Sequence, residues 1–185
     1  MKNIRLLLTG LAIFVFAACS NSDDDSTQSG YEKGNAVKFT SAISPIDQPK
    51  VAEDIWNDGD KIGIYMLKSG TNLVVNESRN AKYTSDISGN LVAESNAIHY
   101  PLGIKVDFVA YYPYQDNLEN FTYGVNVADQ SKPENIDLIY SNNAIGTSND
   151  DASANLQFTH QLSKVVFNIA PGQGLTSDDL KNLKV

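Results

Sequence analysis

Apolar and polar residues alternate most regularly over residues 104–114, IKVDFVAYYPY. Ile104, Val106, Phe108, Ala110 and Tyr112 fall on one side, and Lys105, Asp107, Val109 and Tyr111 on the other. Successive strand residues point to opposite faces, so this period of two predicts a strand with one almost wholly apolar face. Its aromatic and β-branched content agrees, and Pro113, which has no ladder donor, ends it. Such a strand needs partners in a sheet and a second layer on its apolar face. It is predicted to be the central strand of a β-sandwich.

The same alternation marks the rest of the chain more faintly. Residues 36–43, AVKFTSAI, set Val37, Phe39 and Ser41 against Lys38 and Thr40 and predict a first strand. Residues 45–54 hold two prolines and mixed charges and read as a loop. Asp58-Gly59 supplies a tight turn that opens a strand with Ile62, Ile64 and Met66 facing inward. Short strands at hairpin spacing are expected over 81–83, 91–93 and 98–100, with further candidates over 121–127 and 136–140. Residues 141–152 read as a polar loop. Over 155–169 the apolar phase shifts near Gln161–Ser163, predicting two strand segments joined by a bulge or bend. One capped helical turn is expected over 175–180, and a new strand over 183–185. An edge strand cut in mid-run would be a liability, so the sequence is expected to be truncated.

The first eighteen residues change the picture. Lys2 and Arg5 precede thirteen mostly apolar residues, 6–18, the length of a signal-peptide core and short of the ~20 residues a spanning helix needs. The run ends Phe16-Ala17-Ala18-Cys19, similar to a bacterial lipobox, so Cys19 is the expected lipidation site. Residues 19–35, with Asp23-Asp24-Asp25 among serines, read as a flexible acidic tether. An acidic run directly after the cysteine resembles the signal that sends some lipoproteins to the outer cell surface. Residues 36–170 then form the expected β-sandwich domain, and 171–185 a linker out of it.

Without the leader, 12 Lys and Arg face 22 Asp and Glu, a net charge of −10. That surface repels phosphate backbones and disfavours nucleic acid as a partner. Cys19 is the only cysteine, so no intrachain disulfide staples the fold. No cofactor or metal is implied: Asn57, Asp58 and Asp60 read as a turn, because Ile62 stands where a calcium loop needs an oxygen ligand. His99 and His160 have no cysteine or paired carboxylate at useful spacing and read as strand residues, so the chain is not expected to be an enzyme. Tyr65, Tyr111, Tyr112, Tyr114 and Tyr123 could stack on sugars, which keeps a non-polymerising glycan-binding surface lipoprotein as the alternative function.

Several of these pieces, in order, resemble the fimbrillin-like family, the lipoprotein precursors of type V pili and their relatives. They are the lipobox with Cys19, Trp56-x-x-Gly59-Asp60-x-Ile62-Gly63-Ile64-Tyr65, and Val106-Asp107-Phe108-x-Ala110-Tyr111-Tyr112-Pro113. Asp137-Leu-Ile-Tyr140 and Phe158-x-His160-x-Leu162-Ser163-Lys164-Val165 complete the set. The resemblance implies an all-β protein with two transthyretin-like β-sandwich domains, of which 36–170 would be the N-terminal one and 171–185 a linker and the start of a truncated second. It implies a surface lipoprotein in the outer membrane, a structural or accessory subunit of an adhesive fimbrium whose partners are other fimbrial subunits. A protease would remove the first strand, and a neighbour's strand would take its place. Here that strand is 36–43, with Val37 and Phe39 as the pocket fillers and 45–54 as the processing loop. That loop offers Lys50, whereas Arg79 is the only arginine beyond the leader.

Overall fold

A computed structural model describes residues 27–28, 30–44, 55–76, 78–118, 121–132, 136–163, 165 and 168–181. Among these residues the chain is all-β, with eleven strands and no helix. They are β1 (Thr27–Gln28), β2 (Lys33–Ala36), β3 (Phe39–Ile43), β4 (Lys61–Lys68), β5 (Val74–Val75), β6 (Ala81–Ser85), β7 (Asn90–Ala93), β8 (His99–Pro101), β9 (Val106–Tyr112), β10 (Ile139–Thr147) and β11 (Ala154–His160).

The hydrogen-bonded order β4-β6-β7-β3-β11-β10-β9 closes on itself through a β4–β9 ladder. The result is a barrel-like ring; hydrogen bonding does not divide it into the two sheets of the expected sandwich. The closure comes from β4 and β9, which pair over six positions from Gly63↔Tyr111 to Lys68↔Val106. β5 extends from β4 with β1 parallel beside it, and β2 and β8 form a separate antiparallel pair.

β4 and β9 have the character the alternation predicts. Ile62, Ile64 and Met66 from β4 meet Val106, Phe108 and Ala110 from β9 in the interior, with Phe39, Tyr83, Leu156 and Phe158. Each large apolar side chain buried there contributes ~1.5–3 kcal/mol relative to exposure. Their outward faces are covered too: Tyr65, Leu67 and Tyr111 form a second cluster with Val74. Gly63 allows this, because a Cβ there would collide with the Tyr111 ring across the ladder.

Three strand expectations are corrected. The predicted first strand over 36–43 is two strands: β2 ends at Ala36 on β8, and β3 begins at Phe39 between β7 and β11. The 121–127 candidate is not a strand, because its aromatic side chains lie over the outer cluster: Phe121 packs on Tyr65 at 4.8 Å and Tyr123 on Tyr111 at 5.5 Å. The predicted polar loop 141–152 is instead largely β10, which runs to Thr147. β10 is bulged, with register shifts after Ser141 and Ala144, so its buried residues are unevenly spaced. The side chain of Asn143 fills the gap, accepting from the Gln157 N–H at 2.8 Å and donating to the Asn155 carbonyl at 2.9 Å.

Of the segment over 155–169, β11 covers the first part and stops at His160, followed by a bend at Leu162. The helical turn expected over 175–180 is present as consecutive turns. The Asp179 carboxylate accepts there from both the N–H and the hydroxyl of Thr176, each at 2.7 Å.

Candidate strand-exchange site

Among the described residues, β3 is the one element joining β7 to β11 in the ring. On one side it runs parallel to β11 over five positions, Ala154↔Phe39 to Phe158↔Ile43. On the other it is antiparallel to β7 over two, Phe39↔Leu91 and Thr40↔Asn90. Single bonds continue the β11 ladder at both ends: Ala154 donates to the Lys38 carbonyl at 2.9 Å, and Ser44 to that of Phe158 at 2.8 Å. The Val37 N–H donates to the Ile98 carbonyl at 2.9 Å, where the chain crosses from β2 to β3.

The inward side chains are those the alternation indicated. Val37 (6% exposed), Phe39 (3%) and Ser41 (7%) enter the interior, and Ile43 packs at its margin. The Phe39 ring stands edge-on to Tyr83 at 5.2 Å and to Phe108 at 4.9 Å. Ser41 Oγ donates to the Gly89 carbonyl at 2.9 Å. Outward, Asn155 Nδ2 donates to Thr40 Oγ1 at 3.1 Å, and Gln157 Nε2 to Ser44 Oγ at 2.9 Å. Removing β3 would leave β7 and β11 with unpaired edges and the interior open between them.

Beside this seat lies the turn before β4. Trp56 is buried edge-on against Phe158 at 5.1 Å and Tyr112 at 5.6 Å. The Asn57 N–H donates to Asp60 at 2.9 Å, and the Ser85 hydroxyl to the Asn57 carbonyl at 3.2 Å. Gly59 occupies φ +92°, which a side chain would strain. The acidic residues at 57–60 therefore build a turn, and among the described residues no group of three or more His, Cys, Asp or Glu could hold a metal.

A profile described as fimbrillin-like matches residues 49–185. The chain belongs to the fimbrillin-like family. It is 32% identical over 192 residues to "Putative fimbrium subunit Fim1C" of Bacteroides uniformis, covering 100% of this chain and 61% of that protein. It is 24% identical over 203 residues to "Putative fimbrium tip subunit Fim1C" of Bacteroides ovatus, covering 96% of this chain and 36% of that one. This fimbrillin-like chain thus spans under two thirds of the length of either relative. Among solved structures it is similar to one titled as a putative cell adhesion protein from Bacteroides uniformis, with TM-score 0.54 and 31% identity over 68% of this chain and 48% of that one. A second, from Bacteroides ovatus, shares the fold at TM-score 0.53 and 18% identity, over 70% of this chain and 53% of that one.

Within the family motif, Trp56, Ile62 and Ile64 are core residues, and Gly63 lies beneath Tyr111. Of the tyrosines weighed as a sugar platform, Tyr65 and Tyr111 are buried and Tyr112, Tyr114 and Tyr123 half-buried. The Tyr111 hydroxyl donates to Asn80 at 2.7 Å. His99 Nδ1 lies 2.9 Å from the Ala97 carbonyl, and His160 Nδ1 lies 2.8 Å from the Asp137 carboxylate. Cys19 and Lys50 lie outside the described residues. Sequence reasoning gave no role to Asp107 and Asn143: Asp107 is one polar residue in an apolar strand and Asn143 one of several in a polar stretch, and nothing in either local pattern shows the distant backbone it binds.

Proposed function

We propose that this chain is the first-domain portion of a surface lipoprotein, lipidated at Cys19 and held on the outer membrane by the tether 19–35, that serves as a subunit of an adhesive fimbrium. Residues 36–170 are its transthyretin-like N-terminal sandwich, and 171–185 lead into a second domain. Cleavage in 45–54, with Lys50 as the candidate position, frees the segment holding Val37 and Phe39, and a strand from a neighbouring subunit replaces it. The observation that carries this reading is that, among the described residues, β3 alone connects β7 to β11. Backbone hydrogen bonds and alternate side-chain pockets can be satisfied equally by a foreign strand. The names of the two Fim1C relatives support the fimbrial part.

The test is limited proteolysis of the purified full chain between Ile43 and Trp56, followed by size-exclusion chromatography and electron microscopy. The expected result is release of the β3 segment with growth of polymers or uptake of an added strand peptide. Nicked protein that keeps its strand and stays monomeric rules the proposal out.

A glycan-binding reading has one observation in its favour. An open groove of about 540 Å³, lined by Tyr65, Tyr111, Phe121, Tyr123 and Tyr140, lies on the outer face, and Phe121 is 43% exposed. It requires saturable sugar binding by the uncut monomer that is lost in Phe121→Ala.

A further inference from the structure

We infer that the β3 seat selects its incoming strand by residue order: an aromatic side chain at the Phe39 level, and a small hydroxyl side chain two residues later at the Ser41 level. The inference rests on the strand-exchange reading above and specifies the partner that the seat accepts.

The aromatic level has walls that belong to the rest of the fold. Phe108 comes from β9, and Tyr83 is fixed by accepting the Ile98 N–H at 2.8 Å on its hydroxyl. Both meet Phe39 edge-on, at 89° and 83° between planes. Aromatic pairs in this geometry gain about 0.5–1.5 kcal/mol beyond the area they bury. An aliphatic side chain forgoes that gain.

The Ser41 level is narrow for a different reason. Its backbone N–H and its hydroxyl both donate to the Gly89 carbonyl, at 2.7 and 2.9 Å. Gly89 sits at φ +80°, and a Cβ there would run into the Ser41 carbonyl. The turn that presents it is braced. Asp86 accepts the N–H groups of Ser88 and Asn90 at 2.8 and 2.9 Å and the Asn90 side-chain amide at 2.8 Å. The Gly89 N–H returns to the Asp86 carbonyl at 3.0 Å. A turn held at so many points does not retreat for a larger side chain. An apolar residue there would also leave the carbonyl short of its second donor. By contrast, the outward contacts of Thr40 and Ala42 with Asn155 and Gln157 are exposed and place little demand on sequence.

The experiment uses the full chain with a site-specific protease sequence inserted between Asp47 and Val51. After cutting, fluorescent nine-residue peptides copying 36–44 are added and their uptake measured by anisotropy. The native peptide is expected to displace the resident strand. Peptides carrying Phe39→Ala or Ser41→Leu are expected to bind at least about tenfold more weakly, as the loss of a buried ring contact or hydrogen bond dictates. Ser41→Ala, which keeps the size but not the donor, should fall between. If the peptide carrying Ser41→Leu or the one carrying Phe39→Ala binds as well as the native one, the residue-order rule is overturned and strand exchange is left standing. If the native copy is not taken up either, strand exchange fails and the rule falls with it.

Discussion

The ring of Phe39 on β3 stands edge-on to that of Phe108 on β9, with centroids 4.9 Å apart and planes at 89°. The contact crosses the interior, so a strand proposed for replacement is also one of the pins of the core. Phe39→Ala removes this contact and the one to Tyr83 and leaves a cavity. It is expected to cost ~3–5 kcal/mol, read as a lower midpoint in urea unfolding of the full chain. Val37→Ala, at the margin of the same segment, should cost less. An unchanged midpoint for Phe39→Ala would contradict the position given to β3.

Gly63 and Tyr111 face one another across β4 and β9, and the tyrosine ring lies where a side chain at 63 would go. Gly63→Ala is expected to destabilise by ~1–3 kcal/mol through overpacking. In a Tyr111→Ala background the same change should cost much less, because the ring it strikes is gone. A double-mutant cycle in denaturant measures this directly, and additive effects would refute the collision.

The two strands that organise the ring were legible because their alternation is set by burial, and burial is what apolar periodicity reports. Hydrogen-bond partners are another matter. Over 121–127 the alternation is real, yet Phe121 and Tyr123 use it to cover Tyr65 and Tyr111, and the backbone joins no sheet. β10 is the reverse case: its buried positions Ile139, Ser141 and Ala144 are separated by two and then three residues, and only one is large. The bulge at Asn142–Asn143 destroys the period that sequence reading depends on. The break between β2 and β3 left no mark because Val37 stays buried while the chain changes partners. For the candidate site, the inward residues were readable from the sequence. The parallel ladder to β11, more than a hundred residues away, was not.

Burial pushes the Tyr111 phenol up to about 12, against a hydrogen bond from the Gln115 N–H that acts in the opposite direction. A raised folded-state value means the native state holds this proton more tightly than the unfolded chain does. The associated stability is whole below the ordinary tyrosine value of about 10 and is lost as pH climbs from there through 12. Difference spectra at alkaline pH should therefore show the Tyr111 phenolate appearing late, together with unfolding. Tyr111→Phe should flatten that part of the alkaline stability loss. A Tyr111 signal at the ordinary value with the fold intact would mean that the ring is open to water.

Asp107 ties the turn after β4 and the end of β10 to the outer side of β9. Its carboxylate accepts from the Ser69 hydroxyl at 2.7 Å and from the backbone N–H groups of Gly70 at 2.8 Å and Gly146 at 2.7 Å. Partial burial works to raise its pKa, but these hydrogen bonds outweigh it and hold the group below the ordinary value. A depressed value contributes stability above the unfolded-state pKa of about 4, and the contribution disappears as pH falls through the folded-state value. Acid unfolding of the wild-type chain should thus steepen below about pH 4. Asp107→Asn should lose that component and be less stable at neutral pH by ~1–3 kcal/mol, because an amide has one acceptor oxygen where these donors use both oxygens of a carboxylate, and it lacks the charge that strengthens the bonds. The backbone N–H groups of Gly70 and Gly146 both donate to this carboxylate, so hydrogen exchange at the two should accelerate together in the variant. Exchange that quickens at one glycine alone would show that Asp107 does not couple them.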